Sequence, residues 1–214
     1  MTDIRIYCFT LNEYAILNKL PSYIHPLGLG KNNFNQKYLN EKKGLNINSL
    51  NPYYGEASGF YWIWKNELKK MDKKSWVGTC NYRKLWLNKS YSHKQKFSVS
   101  SLYSNLLEQN NTIFDNSEAV QVQPIIFKNE TVLQQFEKVH GNNIIRECVD
   151  FLDGKLRNDF LTYLNSNTLS ITFFLTTADL FEEYCNILFP WLEKCYDYCN
   201  KANILKGYNS RIPA

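Results

Sequence analysis

NPYYGEASGFYWIWKNELKKMDKKSWVGTCNYR, residues 51–83, holds a helix, a turn and a strand in succession, and the rest of the chain is read outward from it. Asn51 suits a helix cap and Pro52 the first helical position, where a missing N–H costs nothing. From there to Met71 the length and spacing predict a single helix with a basic end at Lys69 and Lys70, as the helix dipole favours. On that period Tyr54, Ser58, Tyr61 and Lys65 share one face, and Glu56, Gly59, Phe60 and Ile63 the neighbouring one. Gly55 and Gly59, one turn apart, would let another group approach the backbone closely. A tightly packed core helix would carry the same pattern. After a turn at 72–75, residues 76–83 form a short apolar run ending in polar residues, which predicts a central strand. It delivers Asn81, Tyr82, Arg83 and Lys84 to its carboxyl end, where open α/β sheets place their ligands.

Upstream, residues 4–9 (IRIYCF) predict a first, buried strand. The stretch 26–52 is dense in Gly, Asn and Lys, and predicts a long loop of the kind that is functional or mobile. Downstream, residues 88–100 predict a polar surface excursion and 102–109 a short helix. Residues 119–127 (AVQVQPIIF) predict a strand that Pro124 kinks or confines to an edge. Helical spacing returns at 131–140 and 143–152, a strand at 170–176, and an amphipathic helix at 178–194 interrupted near Pro190. Strands alternating with helices predict an α/β fold with a mostly parallel sheet. A length of 214 residues suits one such domain, 1–214.

The net charge of +5 comes from lysines scattered along the chain, with short clusters at 69–70 and 73–74. Duplex binding needs an Arg-rich stripe, so nucleic acid is excluded as a partner. A basic balance fits an anionic ligand such as a nucleotide diphosphate, or peripheral association with an anionic membrane. The six cysteines stand without CxxC spacing, which argues against a zinc site or a disulfide framework and for reduced thiols in a cytoplasm. The start, MTDIRIYCFTLN, has no signal-peptide run, and no stretch approaches the roughly 20 apolar residues of a membrane span. Aromatic residues at 15% suit stacking on sugars or bases, and equally an aromatic core. Nowhere does the chain carry the Asp-x-Asp pair that would hold a hard divalent cation at a strand end.

Residues 46–66 and 77–86 together resemble the DUF4422 family, glycosyltransferases of capsule and O-antigen gene clusters. Asn46, Ile47, Asn51, Pro52, Tyr54, Glu56, Tyr61, Trp62, Trp64, Lys65 and Asn66 match its first motif, and Gly78, Cys80, Tyr82 and Arg83 its second. The likeness continues at 23–28, at Phe173-Phe174, over 179–189, and at Ser210-Arg211-Ile212, where the family's C-terminal motif begins. Its second half is absent, so the natural chain is expected to continue past Ala214. The resemblance implies a GT-A-like domain moving a sugar from a nucleotide-sugar donor to a growing capsular or O-antigen-type glycan, lipid-linked or free. Its setting would be a bacterial cytoplasm, at the inner face of the membrane. Carried over position by position, it implies donor binding by Thr10, Asn51, Tyr61, Lys65, Tyr82, Arg83 and Arg211, and catalysis by Glu56, His140 and Asp179, with Asp150 a further candidate base. No cofactor beyond the donor is implied. With no Asp-x-Asp, Tyr82 and Arg83, with Lys84 or Lys65, would neutralise the leaving diphosphate, and no metal ligand is assigned. The chain departs from the family pattern at Thr10, Asn81, Lys84 and Thr172. These changes keep open an alternative, a non-catalytic glycan- or nucleotide-binding module of a polysaccharide-assembly system.

Overall fold

Ile4, Ile6 and Cys8 alternate with Tyr7 and Phe9 along the first strand, and both sets are buried. A pleated strand sends successive side chains to opposite faces, so this one must be covered on both sides. The first set joins a cluster with Leu17, Ile24, Trp76, Leu106, Leu107, Phe114 and Leu175. The second joins a larger cluster with Phe60, Ile63, Val77, Phe181, Cys185 and Leu192.

The computed structural model describes residues 3–88 and 98–205. Its strands are β1 (Ile4–Thr10), β2 (Ile24–Gly28), β3 (Leu39–Asn40), β4 (Trp76–Asn81), β5 (Ala119–Gln121), β6 (Ile125–Ile126), β7 (Thr168–Leu169) and β8 (Phe174–Thr177). Its helices are α1 (Asn51–Tyr54), α2 (Ala57–Asn66), α3 (Val99–Tyr103), α4 (Val132–His140), α5 (Ile144–Val149), α6 (Gly154–Leu164) and α7 (Ala178–Lys201). One six-stranded sheet runs in the order β3-β2-β1-β4-β8-β5. β3, β2, β1 and β4 are mutually parallel, and β8 runs antiparallel to both neighbours. This is the expected α/β arrangement with a mostly parallel central sheet. β6 and β7 form a separate antiparallel pair.

Several elements differ from the sequence expectations. The stretch 26–52 is not one loop, since it begins inside β2 and contains β3. Leu29 N–H donates to Thr10 O at 2.8 Å, so along β2 residues 25, 27 and 29 face β1 and Pro26 faces the other way. On that side β3 starts only opposite Leu27, so the ring that lacks an N–H breaks no ladder bond. The connection after β3 is pinned by two motif residues. Trp62 Nε1 donates to Lys43 O at 2.6 Å, and Asn66 both donates to Leu45 O at 2.8 Å and accepts from Leu45 N at 3.0 Å.

The single helix expected from Asn51 to Met71 is broken at Gly55, whose φ of 58° and ψ of −127° end α1; α2 ends at Asn66, with a short 3-10 turn at Leu68–Lys70. Pro124 separates β5 from β6, so the strand expected over 119–127 serves two different sheets. The helix expected at 102–109 is α3, shifted toward the N-terminus, which frees Leu106 and Leu107 to enter the core. α6 had no counterpart in the sequence expectations. α7 passes unbroken through Pro190, because Phe181, Cys185, Leu188, Phe189 and Leu192 are buried along it. That burial outweighs the roughly 3 kcal/mol a mid-helix proline costs. Among the described residues no helix is long and apolar enough to cross a membrane.

Candidate functional site

Parallel β1 and β4 end side by side, Phe9 opposite Asn81, and the chain leaves each strand over the same edge. Between these ends and the α1–α2 break lies a cleft of about 140 Å³, lined by Phe9, Thr10, Leu11, Asn12, Leu29, Asn51, Gly55, Glu56, Asn81, Tyr82 and Arg83. The carboxyl ends of neighbouring parallel strands are where a sheet of this class opens to a ligand.

Several polar groups in the cleft are held by local chemistry. Thr10 is buried, and its hydroxyl accepts from Asn12 N at 3.2 Å, which turns the chain at the end of β1. Asn51 was expected to cap the helix; instead it is the first residue of α1, after Leu50. Its Nδ2 donates to Gly55 O at 3.0 Å and to Ser58 Oγ at 2.8 Å, and so spans the break between the two helices. Gly55 thus serves backbone geometry, while Gly59 serves packing: a Cβ there would stand 2.8 Å from Phe9 Cε1, so α2 lies directly on β1. Glu56 emerges just after the break, half-buried, and its Oε1 accepts from Asn81 Nδ2 at 3.3 Å. Asn81 Oδ1 accepts from Arg83 N at 3.0 Å, so one asparagine orients both the carboxylate and the turn that carries the guanidinium.

Tyr82 stacks on Tyr14, ring centroids 4.4 Å apart and 16° from parallel. The neighbouring Tyr14 hydroxyl holds the Tyr82 phenol above its ordinary pKa, so it stands as a neutral donor. Arg83 is exposed, 5.4 Å over the Tyr82 ring, and forms no ion pair with a described residue. The lining thus holds a carboxylate and a guanidinium that has no ion pair among the described residues, a set suited to a ligand with phosphate and hydroxyl groups. Among the described residues Glu56 is the one carboxylate of the lining, a poor match for a hard divalent cation, which takes several carboxylate oxygens.

The structure therefore brings together Thr10, Asn51, Glu56, Tyr82 and Arg83 from three separate stretches of sequence. It does not bring the other candidates there. Tyr61 and Lys65 lie in a different hollow with Trp64, Phe189 and Tyr196. His140 is exposed at the end of α4, 4.5 Å from the ring of Phe136, and desolvation lowers its pKa. Asp179 accepts from Leu180 N at 2.9 Å and from the Thr177 hydroxyl, and pairs with Lys74. It starts α7 beside Trp76, at the opposite end of β4 from Asn81, roughly 16 Å away at strand rise. Asp150 is taken by Arg157 at 2.6 Å. Arg211 and most of the 88–100 excursion lie outside the described residues.

Leu11, Asn12, Leu29 and the cleft-facing side of Gly55 were missed, as was Glu41. Fully buried, Glu41 accepts through Oε1 from Gly30 N and from Asn48 Nδ2, while Oε2 has no hydrogen-bond partner among the described residues. Burial raises its pKa. In the sequence, an isolated Glu followed by two lysines and a glycine carries no signal of burial.

The family model for the domain of unknown function DUF4422 matches residues 5–214. The chain belongs to the DUF4422 family. Among solved structures, the apo form of WbbM, a bifunctional glycosyltransferase, is similar to this DUF4422 chain, with a TM-score of 0.59 and 20% sequence identity. The match covers 92% of this chain and 37% of WbbM, so the chain spans a little over a third of that protein, and at this identity the likeness is one of fold. No curated protein matches the sequence.

Proposed function

We propose that this chain is a nucleotide-sugar-dependent glycosyltransferase that binds its donor at the carboxyl ends of β1 and β4. The observation that carries the reading is convergence: Thr10, Asn51, Glu56, Tyr82 and Arg83, up to 73 residues apart, line one cleft in a fold similar to that of a bifunctional glycosyltransferase. A cleft of about 140 Å³ is smaller than the roughly 300–1,000 Å³ of pockets that enclose drug-sized ligands. It therefore takes the reacting part of the donor, the diphosphate and the first carbons of the sugar, and leaves the nucleoside outside.

In this reading Arg83, with exposed Lys84 beside it, meets the diphosphate and stabilises the charge that develops as the glycosidic bond breaks. Tyr82, Asn51 and Thr10 supply neutral polar groups around the donor. Glu56, oriented by Asn81, takes the proton of the attacking hydroxyl; it is the candidate base within the cleft, whereas His140 and Asp179 are outside it. With one carboxylate in the lining, the neutralising work falls to side chains rather than to a metal. The acceptor is a growing capsular or O-antigen-type glycan, and the site of action is the cytoplasmic face of the membrane. The resemblance of the two motifs supports both.

The test is thermal stabilisation by a panel of nucleotide diphosphates and nucleotide sugars, with and without Mn²⁺ and chelator, since a ligand of the folded state raises apparent stability. A metal-independent shift with one donor, followed by acceptor-dependent turnover, is expected. A requirement for Mn²⁺ would remove the metal-free mechanism. Binding without turnover under any acceptor would favour a non-catalytic donor-binding module.

A further inference from the structure

A second hollow, of about 480 Å³, lies beside α1, with walls from α1, α2 and the second half of α7. Its aromatic wall is fixed in advance. The Trp64 ring lies flat against Phe189, centroids 5.5 Å apart and 8° from parallel, and Tyr61 meets Phe189 edge-on at 5.1 Å. The Lys65 ammonium is held 3.0 Å over the Trp64 ring. Around this wall stand polar groups with few partners among the described residues. The hydroxyls of Tyr54, Tyr61 and Tyr196 make no hydrogen bond with a described residue, and Lys65, Glu193 and Asp197 make no ion pair with one. Burial, and then the Glu193 carboxylate, raise the Tyr54 pKa, so this phenol stays a neutral donor.

A nucleotide would find aromatic surface here and the wrong charge. Glu193 and Asp197 outnumber Lys65, and like charges brought together disfavour a phosphate-bearing ligand. A neutral pyranose fits both features: its carbon-bound hydrogens pack on aromatic rings and its hydroxyl rim meets phenols, carboxylates and an ammonium. The hollow is also adjacent to the donor cleft. Asn51 and Gly55 line the cleft while Leu50 and Tyr54 line the groove, so α1, about 6 Å long, is a wall common to both.

We propose that this groove binds a neutral glycan chain and holds it alongside the donor cleft. Naming that chain the acceptor rests on the glycosyl-transfer reading above; glycan binding by the groove does not.

The intact protein is titrated by NMR with maltohexaose, laminarihexaose and chitohexaose, and separately with uridine and guanosine diphosphates. The indole N–H signal of Trp64, assigned from its loss in Trp64→Phe, reports on the groove. At least one oligosaccharide is expected to move it saturably while the diphosphates leave it in place. Glu193→Gln with Asp197→Asn, both exposed and without an ion pair to a described residue, should then weaken that oligosaccharide roughly tenfold. Tyr61→Phe, which keeps the ring packing, should weaken it as well. The proposal is overturned if no oligosaccharide moves the Trp64 signal, if the diphosphates move it instead, or if these variants bind as the wild type does. An unmoved groove with donors still bound at the cleft sinks only this inference. Glycan in the groove with no donor bound at the cleft sinks only the transferase reading.

Discussion

Replacing Arg83 with Ala separates binding from folding. The side chain is exposed, forms no ion pair with a described residue, and lies 5.4 Å from the centre of the Tyr82 ring. The bond that shapes the turn, Arg83 N–H to Asn81 Oδ1, comes from the backbone and survives the change. A surface substitution of this kind alters stability by about 0.5 kcal/mol or less, a melting shift of roughly 2 °C at most for a chain of this size. Binding is different, because a hydrogen bond to a charged group is worth about 1.5–3 kcal/mol. At about 1.4 kcal/mol per tenfold, loss of the guanidinium should weaken the nucleotide diphosphate roughly 10- to 150-fold. Arg83→Lys restores the charge without the planar fork and should fall between the two. Since the group is exposed, the gap between wild type and alanine variant should narrow as salt is raised. Isothermal titration with the diphosphate that stabilises the wild type most, at low and high salt, reads all of this. An alanine variant that binds as tightly as wild type would refute the placement of the phosphates. One that melts far lower would refute the claim that Arg83 is not structural.

Glu56→Gln keeps an oxygen for Asn81 but cannot take a proton, so turnover should fall by about 10²–10⁴ while donor-induced stabilisation persists. Unchanged turnover in steady-state assays would leave Glu56 only a hydroxyl-binding role. Gly55→Ala forces a side chain into backbone angles that are all but reserved for glycine, at about 1–3 kcal/mol. At roughly 2–4 °C per kcal/mol, calorimetry should show a lower melting temperature, and an unshifted one would mean that the break relaxes freely. For Glu41, burial raises the folded pKa above the ordinary 4.5. The folded protein then holds a proton that the unfolded chain has released, so stability falls as pH rises from about 4.5 to the folded pKa and is level beyond it. Glu41→Gln should remove that fall; urea unfolding in which wild type and variant keep a constant difference across pH would contradict it.

The strands dominated by apolar residues were legible because burial on both faces leaves few polar positions: β1 and β4 follow their expected spans to within a residue or two, and β8 lies over the second half of its own. β2 and β3 were hidden because their pairing depends on what lies beside them. Pro26 and Gly28 argue against a strand locally, and only the absence of β3 beside Pro26 makes one permissible. The cleft was half legible. Asn81, Tyr82 and Arg83 follow from the rule that parallel strands present ligand groups at their carboxyl ends, and Asn51 and Glu56 from a motif. Tyr61 and Lys65 belong to the same motif yet face elsewhere, since spacing along a helix fixes relative direction and says nothing of which neighbour that face meets. Trp62 and Asn66 belong to it too, and they clamp the backbone of Lys43 and Leu45. A motif thus mixes residues that hold the scaffold with residues that present chemistry, and only the fold sorts them.

The break at Gly55 decides the geometry of the cleft. Asn51 and Glu56 are five residues apart, and in the continuous helix their sequence predicts they would point about 140° away from each other. Asn51 could then not face the strand ends while Glu56 reached Asn81. With φ at 58°, Gly55 turns the chain between them, and both side chains enter one hollow. The turn exposes the peptide oxygen of Gly55 to a buried setting, where an unpaired carbonyl would cost about 1–3 kcal/mol. Asn51 Nδ2 and Ser58 Oγ both donate to it, at 3.0 and 2.9 Å. Asn51 therefore supports the break that gives it a place in the cleft, and a change at Asn51 should perturb Glu56 without touching it.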